Sequence, residues 1–476
     1  MALSHLPRVY RPDFGLLTDL YELTMAAGYY HERLHERRAI FHLFYRTPPF
    51  GGHFALSAGL PLAIDLIENY QFSADDVQYL GRLKSDDGSP LFREPFLNYL
   101  QRMKFTGHVD AVPEGEIVLP QEPLLRIEGP LLQLQLLETA LLTVMNFSTL
   151  VATKAARIKA AAGDDPVLEF GLRRAQGIDG GLTASRSAYL GGCDASSNVW
   201  AGRYYDIPVR GTHAHSWVMV FPDELTAFEA YAEVLPANCI FLVDTYDTVE
   251  GTRNAITVGR ELGKRGYEMS GIRLDSGDLT ALSIQARHML DEAGFPEARI
   301  VASDSLDEYA IRDLKAAGAR INVWGIGTRL ATAHDQPALG GVYKLAAVQN
   351  AAGDWEPRVK ASEEIIKSSQ PGKLGVRRYY RGDRPVASQL YNAFQGEPSR
   401  QITDTAGNRY ELEGESRELL EPVFRDGTRV HRACDLHCTR DRALLNWQRW
   451  NSFDWDTFHH GMAPELLAQK EELLNR

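Results

Sequence analysis

Between Glu169 and Trp217 the chain reads EFGLRRAQGIDGGLTASRSAYLGG and, a short way on, RGTHAHSW. The doubled arginine, Arg173–Arg174, stands among glycines that leave backbone N–H groups open. Guanidinium forks meet phosphate oxygens two at a time, so this composition suits a polyanionic phosphate. His215 follows Gly211 and Thr212. A histidine beside a phosphate site can pass a proton or accept a phosphoryl group, and a satisfied core histidine is the alternative. The segment points to phosphate-group chemistry.

Further motifs carry residues of the same kind. WGIGTRLAT sets Gly325, Gly327 and Thr328 after a strand and at the start of a helix. Backbone N–H groups and a hydroxyl there suit a monophosphate; a turn that needs glycine is the plainer account. IRLDSGD spaces Arg273 and Asp275 two apart, which puts both on one side of a strand end. The arginine suits a carboxylate or phosphate and the aspartate a ribose hydroxyl or Mg²⁺, unless the two form a structural ion pair. Asp244, Asp247 and Asp304 can hold metal or ribose, or cap a helix or turn. His31-Glu32-Arg33-Leu34-His35 has the H-E-x-x-H spacing of zinc proteases, but its surroundings are arginine-rich and offer no third ligand. It reads as a solvated helix end. His431, Cys434, His437 and Cys438 form a compact soft-ligand group: a Zn²⁺ site of irregular spacing, or a turn with free thiols.

The elements that must position these residues change character along the chain. The spacing predicts a helix in LTDLYELTMAAGYYHERL behind Thr18–Asp19, then a strand in AIFHLFYR that alternates faces, then a long apolar helix over 131–158. From Asp165 onward short apolar runs alternate with amphipathic helices. The runs VLEFG, NCIFLVDTYDT, SGIRLDSGD, RIVASDS and RINVWGIGT each end in a polar or glycine cluster. Most of them recur at roughly the length of a βα unit. Functional residues gathered at the carboxyl ends of strands are what a β/α barrel provides, with a doubly wound open sheet as the alternative. The expected fold class is therefore α/β: an N-terminal α+β domain over 1–150, an irregular β/α barrel over 151–365 and a small appended region over 366–476. That last region holds KSSQPGKLGVRRYYRGDRP, which is basic and turn-rich, and ends in a helix, APELLAQKEELLNR.

A length of 476 residues calls for two or three domains. A net charge of −12 lacks the basic face of a nucleic-acid binder, although a local arginine cluster can still hold a polyanionic metabolite. Four scattered cysteines make no disulfide framework, no run has transmembrane length, and MALSHLPRVYRPDF has no apolar signal core. A cytoplasmic location is expected, with no membrane partner.

Taken jointly and in order, TDLYELTM, EFGLRRAQG, LGGCDASSN, GTHAHSW, DTYDT, RLDSGD and GIGT resemble the nicotinate phosphoribosyltransferases, type II phosphoribosyltransferases of NAD salvage. The resemblance is strongest from LLTDLYELTMAAGYY to LGGVYKL. It implies synthesis of nicotinate mononucleotide from nicotinate and 5-phosphoribosyl 1-pyrophosphate, coupled to ATP hydrolysis, with Mg²⁺. His215 matches the histidine that ATP phosphorylates. Thr212 and Arg273 match nicotinate contacts, and Tyr21 a ring-stacking tyrosine that a dimer partner contributes. Gly325, Gly327 and Thr328 match the ribose 5-phosphate loop. Phe170 and Arg173 correspond to a ring-stacking and a phosphate-binding residue in related nicotinamide enzymes. Asp244, Asp275 and Asp304 are expected around ribose and metal. His213 fills a variable slot and receives no role, and the Cys434, His437, Cys438 group is outside the pattern. A homodimer with shared sites is implied. Nicotinamide or quinolinate as the pyridine, or a non-catalytic sensor of phosphorylated metabolites, are the alternatives.

Overall fold

The computed structural model describes residues 13–361, 368–432, 434–451 and 453–475. Nearly all of the N-terminal stretch MALSHLPRVYRPDF and the boundary expected between 365 and 366 lie outside these residues. The chain divides into two units. One runs to Thr149 and takes in Ala338–Asp435 and the residues from Arg449 on; the other is Leu150–Pro337 with Leu436–Gln448.

In the first unit, α1 (Leu20–His31) starts behind Asp19, as its start signal predicts, and ends at Glu32, short of Leu34, to which the expected helical stretch runs. β1 (Arg38–Tyr45) is buried on both faces, because it lies inside a seven-stranded sheet between the antiparallel strands Leu125–Pro130 and Gly341–Gln349. α2 (Glu94–Arg102) packs its Phe96, Leu97 and Leu100 inward. The single long helix expected over 131–158 is broken. A short helix, Leu131–Leu136, precedes α3 (Glu138–Ala162), and Leu137 donates to the Leu134 carbonyl, a tightened three-residue turn.

The appended region does not stand alone. Most of it belongs to the first unit, where Glu421–Arg425 pairs with His108–Ala111, while Leu436–Gln448 belongs to the second. KLGVRRYYRGDRP forms an antiparallel hairpin, Leu374–Arg381 with Arg384–Asn392, and not a run of turns. Arg378 hid the strand from sequence reading. It is buried, ion-paired to the buried Glu122 at 2.9 Å, with its guanidinium 4.7 Å from the Trp450 ring.

The second unit carries six parallel strands: β2 (Val167–Glu169), β3 (Ala195–Ser196), β4 (Ile240–Leu242), β5 (Gly271–Leu274), β6 (Arg299–Ala302) and β7 (Val323–Ile326). Their order is β3-β2-β7-β6-β5-β4. The first strand pairs with the last and the others are consecutive neighbours, which is the cyclic order of a β/α barrel. A doubly wound sheet would reverse its order in the middle. Among the described residues no continuous ladder closes the ring between β3 and β4. The segment 207–213 contacts both edges instead. Its backbone bonds Ser196, and the His213 Nε2 accepts the Leu242 N–H at 3.3 Å. Intervening helices α4 (Gly177–Leu190), α5 (His215–Val220), α6 (Thr248–Lys264), α7 (Leu279–Glu292), α8 (Glu308–Ala316) and α9 (Thr328–Ala331) follow the strand ends. Asp247, Asp278 and Asp307 cap α6, α7 and α8. Asp247 thus serves α6 as its cap through Oδ1.

Candidate active site

A cavity of about 570 Å³ opens at the carboxyl ends of these strands. Phe170, Arg173, Thr212, His215, Arg273, Asp275, Asp304, Gly325, Gly327 and Thr328 all line it. The ends and following loops of five strands thus converge on one space.

Arg273 leaves β5 and donates from Nη1 to the Thr212 hydroxyl at 2.9 Å; its Nε is buried with no hydrogen-bond partner. It forms no ion pair with Asp275 among the described residues, so the structural-pair alternative falls away. Burial lowers the Arg273 pKa from its ordinary value, against the raising effect of Asp275 and Asp244. A desolvated guanidinium with open donors is prepared for an anionic ligand.

Asp275 is held from two sides. Ser303 Oγ donates to its Oδ1 at 2.5 Å, and its own N–H donates to Asp244 Oδ2 at 2.9 Å. Asp244 Oδ2 also accepts from Ser276 Oγ at 2.7 Å, and its Oδ1 is buried without a partner. Asp244 supports the cavity from behind and is not among the lining residues. His215, the first residue of α5, shares a hydrogen bond through Nδ1 with Thr245 Oγ1 at 3.1 Å. Its Nε2 lies 3.7 Å from Asp275 Oδ2. A histidine flanked by a hydroxyl and a carboxylate can hold either ring nitrogen ready for phosphoryl acceptance.

At β7 the Phe170 ring lies against Gly325. A Cβ on Gly325 would sit 2.8 Å from two ring carbons, so only glycine admits this stacking. Gly327 and Thr328 open α9 next to it. The turn that carries Arg173 is set by Glu169, which is 1% exposed. Its carboxylate accepts the Gly171 N–H, the Ser185 hydroxyl at 2.8 Å and the Ser196 hydroxyl at 2.6 Å. The sequence put an acid at the head of the motif without giving it a task; the structure shows an anchor for the phosphate-side loop.

Other residues escaped sequence reading. Ser197, His213, Ser303, Ser305 and Arg329 also line the cavity, beside Arg174, which the doubled arginine had already marked. His213 is buried among Phe228, Tyr231 and Phe241, and burial lowers its pKa to about 4. The adjacent GT and HS hid it, since neither tells that the side chain would stand in for a strand pairing. Thr245 had a visible signal in DTYDT, whose aspartates alone were weighed.

Two predictions fall elsewhere. Tyr21 lies on α1 in the first unit and is 49% exposed. Of the soft-ligand group, His431 and Cys434 belong to the first unit, His437 and Cys438 to the second. Among the described residues no three His, Cys, Asp or Glu side chains gather to hold a metal ion. His437 Nδ1 bonds the Tyr189 hydroxyl at 2.8 Å instead.

Arginines, hydroxyls and glycine N–H groups at the carboxyl edge of a cyclically ordered parallel sheet define a phosphate-handling α/β enzyme. Residues 16–146 match the nicotinate phosphoribosyltransferase (NAPRTase) N-terminal domain, and residues 167–396 match the NAPRTase family. A nicotinate phosphoribosyltransferase of Bacillus subtilis is 50% identical over 367 residues, 77% of this chain and 73% of that one. The Homo sapiens enzyme of that name is 39% identical over 454 residues, 84% of this chain and 83% of that one. The crystal structure of human nicotinic acid phosphoribosyltransferase superposes with a TM-score of 0.82 at 32% identity, covering 96% of this chain and 99% of that one. A nicotinate-nucleotide pyrophosphorylase from Pyrococcus furiosus shares the fold, with a TM-score of 0.71 at 21% identity over 95% of this chain and 99% of that one. The chain belongs to the nicotinate phosphoribosyltransferase family.

Proposed function

We propose that the protein joins the ring nitrogen of nicotinate to C1 of 5-phosphoribosyl 1-pyrophosphate, releasing pyrophosphate and forming nicotinate mononucleotide. The observation that carries this reading is the convergence, in one cavity, of a carboxylate-seeking Arg273–Thr212 pair, a phosphate-seeking Arg173 and Gly325–Thr328 loop, and the His215–Asp275 pair.

The C1–oxygen bond to pyrophosphate breaks as the nitrogen lone pair forms the new C–N bond, through an oxocarbenium-like state. No proton need leave the nucleophile, so orientation outweighs general-base catalysis. Arg273 would grip the pyridine carboxylate and Phe170 one face of the ring. Arg173 would receive the leaving pyrophosphate, and the Gly325–Thr328 backbone and hydroxyl the 5-phosphate. Asp275 and Asp304 would take ribose hydroxyls.

The unpartnered Asp244 Oδ1 and the Asp275 Oδ2 are hard oxygen ligands that suit Mg²⁺ when substrate phosphates complete its shell. Bound there, Mg²⁺ would neutralise charge on the pyrophosphate. ATP would phosphorylate His215, adding negative charge that orders the neighbouring loops, and hydrolysis would reset the cycle.

Leu16, Leu17, Leu20, Tyr21 and Met25 expose large apolar surface along α1 and the turn before it. This favours a homodimer in which the partner copy supplies Tyr21 to the ring. The buried free thiols Cys193 and Cys239 favour a cytoplasmic setting, and no described helix is long and apolar enough to cross a membrane. His215→Ala should keep slow synthesis of the mononucleotide and lose its stimulation by ATP. Undiminished stimulation in that variant would remove His215 from the coupling.

A further inference from the structure

The HERLHER segment, read from sequence as a bare helix end, builds a second cavity inside the first unit. It measures about 640 Å³ and lies between the end of α1 and the start of α2. Its walls are aromatic. The Tyr30 ring centroid is 4.8 Å from that of His35 and 5.9 Å from that of Phe96. His35 Nδ1 is buried and has no hydrogen-bond partner among the described residues. Arg33 and Arg93 line the same cavity, and among the described residues neither guanidinium is engaged by a side chain or carbonyl. The nearby Glu32 carboxylate is taken up by His31 at 3.0 Å.

Arg33 also sits at φ 57°, in the left-handed region that a long side chain adopts at a cost. Such strain concentrates where a structure holds a residue for binding. Two uncompensated arginines beside an apolar hollow are a local reversal of sign in a chain of net charge −12. Ligand pockets usually span roughly 300–1,000 Å³, with apolar walls and a few convergent polar groups.

We infer that this cavity is a binding site for an aromatic ring bearing a phosphate or carboxylate, up to the size of a nucleotide. The ring lies against Tyr30, above a floor closed by Phe96 and His35, and the anionic group bridges Arg33 and Arg93. The site is separate from the residues placed around the substrates, and it stands whether or not the proposed reaction is right.

Titration calorimetry on the full chain tests it, in an Arg273→Gln background that removes the carboxylate site of the other cavity and with pyrophosphate and Mg²⁺ saturating its phosphate side. The probes are adenosine 5′-monophosphate, nicotinate and inorganic phosphate. One of the two ring-bearing probes should bind once per chain, at least tenfold more tightly than phosphate, and the tighter of them tells phosphate from carboxylate. Arg33→Asn/Arg93→Gln should weaken that probe at least tenfold. Asparagine tolerates the left-handed backbone and the Arg93 side chain caps no helix N–H, so the ligand-free melting temperature should match the wild type. If the double variant melts lower, Arg93→Gln alone is read the same way. Equal binding by wild type and variant, phosphate as tight as the ring-bearing probes, or no saturable heat from either ring-bearing probe would overturn the site.

Discussion

Replacing Arg273 by Gln isolates the group on which pyridine choice depends. The amide nitrogen stands about where Arg273 Nε stands, so the charge is removed and Thr212 Oγ1, which now receives Arg273 Nη1 at 2.9 Å, is left to water. The guanidinium is substantially desolvated and its Nε has no partner, so nicotinate would bring the carboxylate that satisfies it. Removing one partner of a buried hydrogen-bonded charge pair costs about 2–5 kcal/mol. A central value of about 3 kcal/mol corresponds to a loss of about 150-fold in kcat/KM for nicotinate. The uncharged amide, nicotinamide, never had that interaction, so its own kcat/KM should move by less than about fivefold. Steady-state pyrophosphate release with each pyridine, at fixed phosphoribosyl pyrophosphate, gives both numbers. An equal loss for the two pyridines, or a change confined to the KM for phosphoribosyl pyrophosphate, would refute the assignment of Arg273 to the carboxylate.

Three other perturbations probe the supports of the site. Glu169→Gln weakens the acceptor of the Gly171, Ser185 and Ser196 donors. It should raise the KM for phosphoribosyl pyrophosphate more than that for nicotinate and cost about 2 kcal/mol in denaturant unfolding; an unchanged KM would deny it the Arg173 turn. Gly325→Ala puts a Cβ 2.8 Å from the Phe170 ring, which must swing aside. The KM for nicotinate should rise about tenfold with little change in melting temperature, since a displaced rotamer costs about 1 kcal/mol, and an unaltered KM would remove Phe170 from the ring face. His213 takes a proton near pH 6.5 in the unfolded chain but only near 4 when folded, so the unfolded state binds more protons between those values. Its contribution is whole above pH 6.5 and is lost as pH falls toward 4, by up to about 3 kcal/mol. His213→Asn should flatten that part of the stability profile, and an unchanged slope would contradict the buried neutral imidazole.

Sequence periodicity revealed the strand ends well, because each of β2, β4, β5, β6 and β7 is an apolar run that stops at a polar cluster. β3 has only two residues, too few for any period, and its place is visible only through its pairing with Leu168 and Glu169. The broken helix at Leu137 was illegible because leucine fits both sides of the break. Arg378 misled in the opposite way, since a charge that pairs with Glu122 inside the first unit looks like surface in one dimension. Of the site, Arg273, Asp275, His215 and the Gly325–Thr328 loop were legible because their chemistry is local to a motif. His213 and Glu169 were not, since their tasks are long-range hydrogen bonds to Leu242, Ser185 and Ser196. The dispersal of the cysteine–histidine group over both units is likewise a property of the folded chain alone.

The central claim is that the cavity of the second unit transfers phosphoribose to nicotinate. Pyrophosphate release from 5-phosphoribosyl 1-pyrophosphate with nicotinate, nicotinamide or quinolinate, with and without ATP, tests it most directly. The account predicts release with nicotinate at a rate well above the other two pyridines, accelerated by ATP and matched mole for mole by nicotinate mononucleotide. Release that is independent of the pyridine, or faster with nicotinamide or quinolinate than with nicotinate, would contradict it.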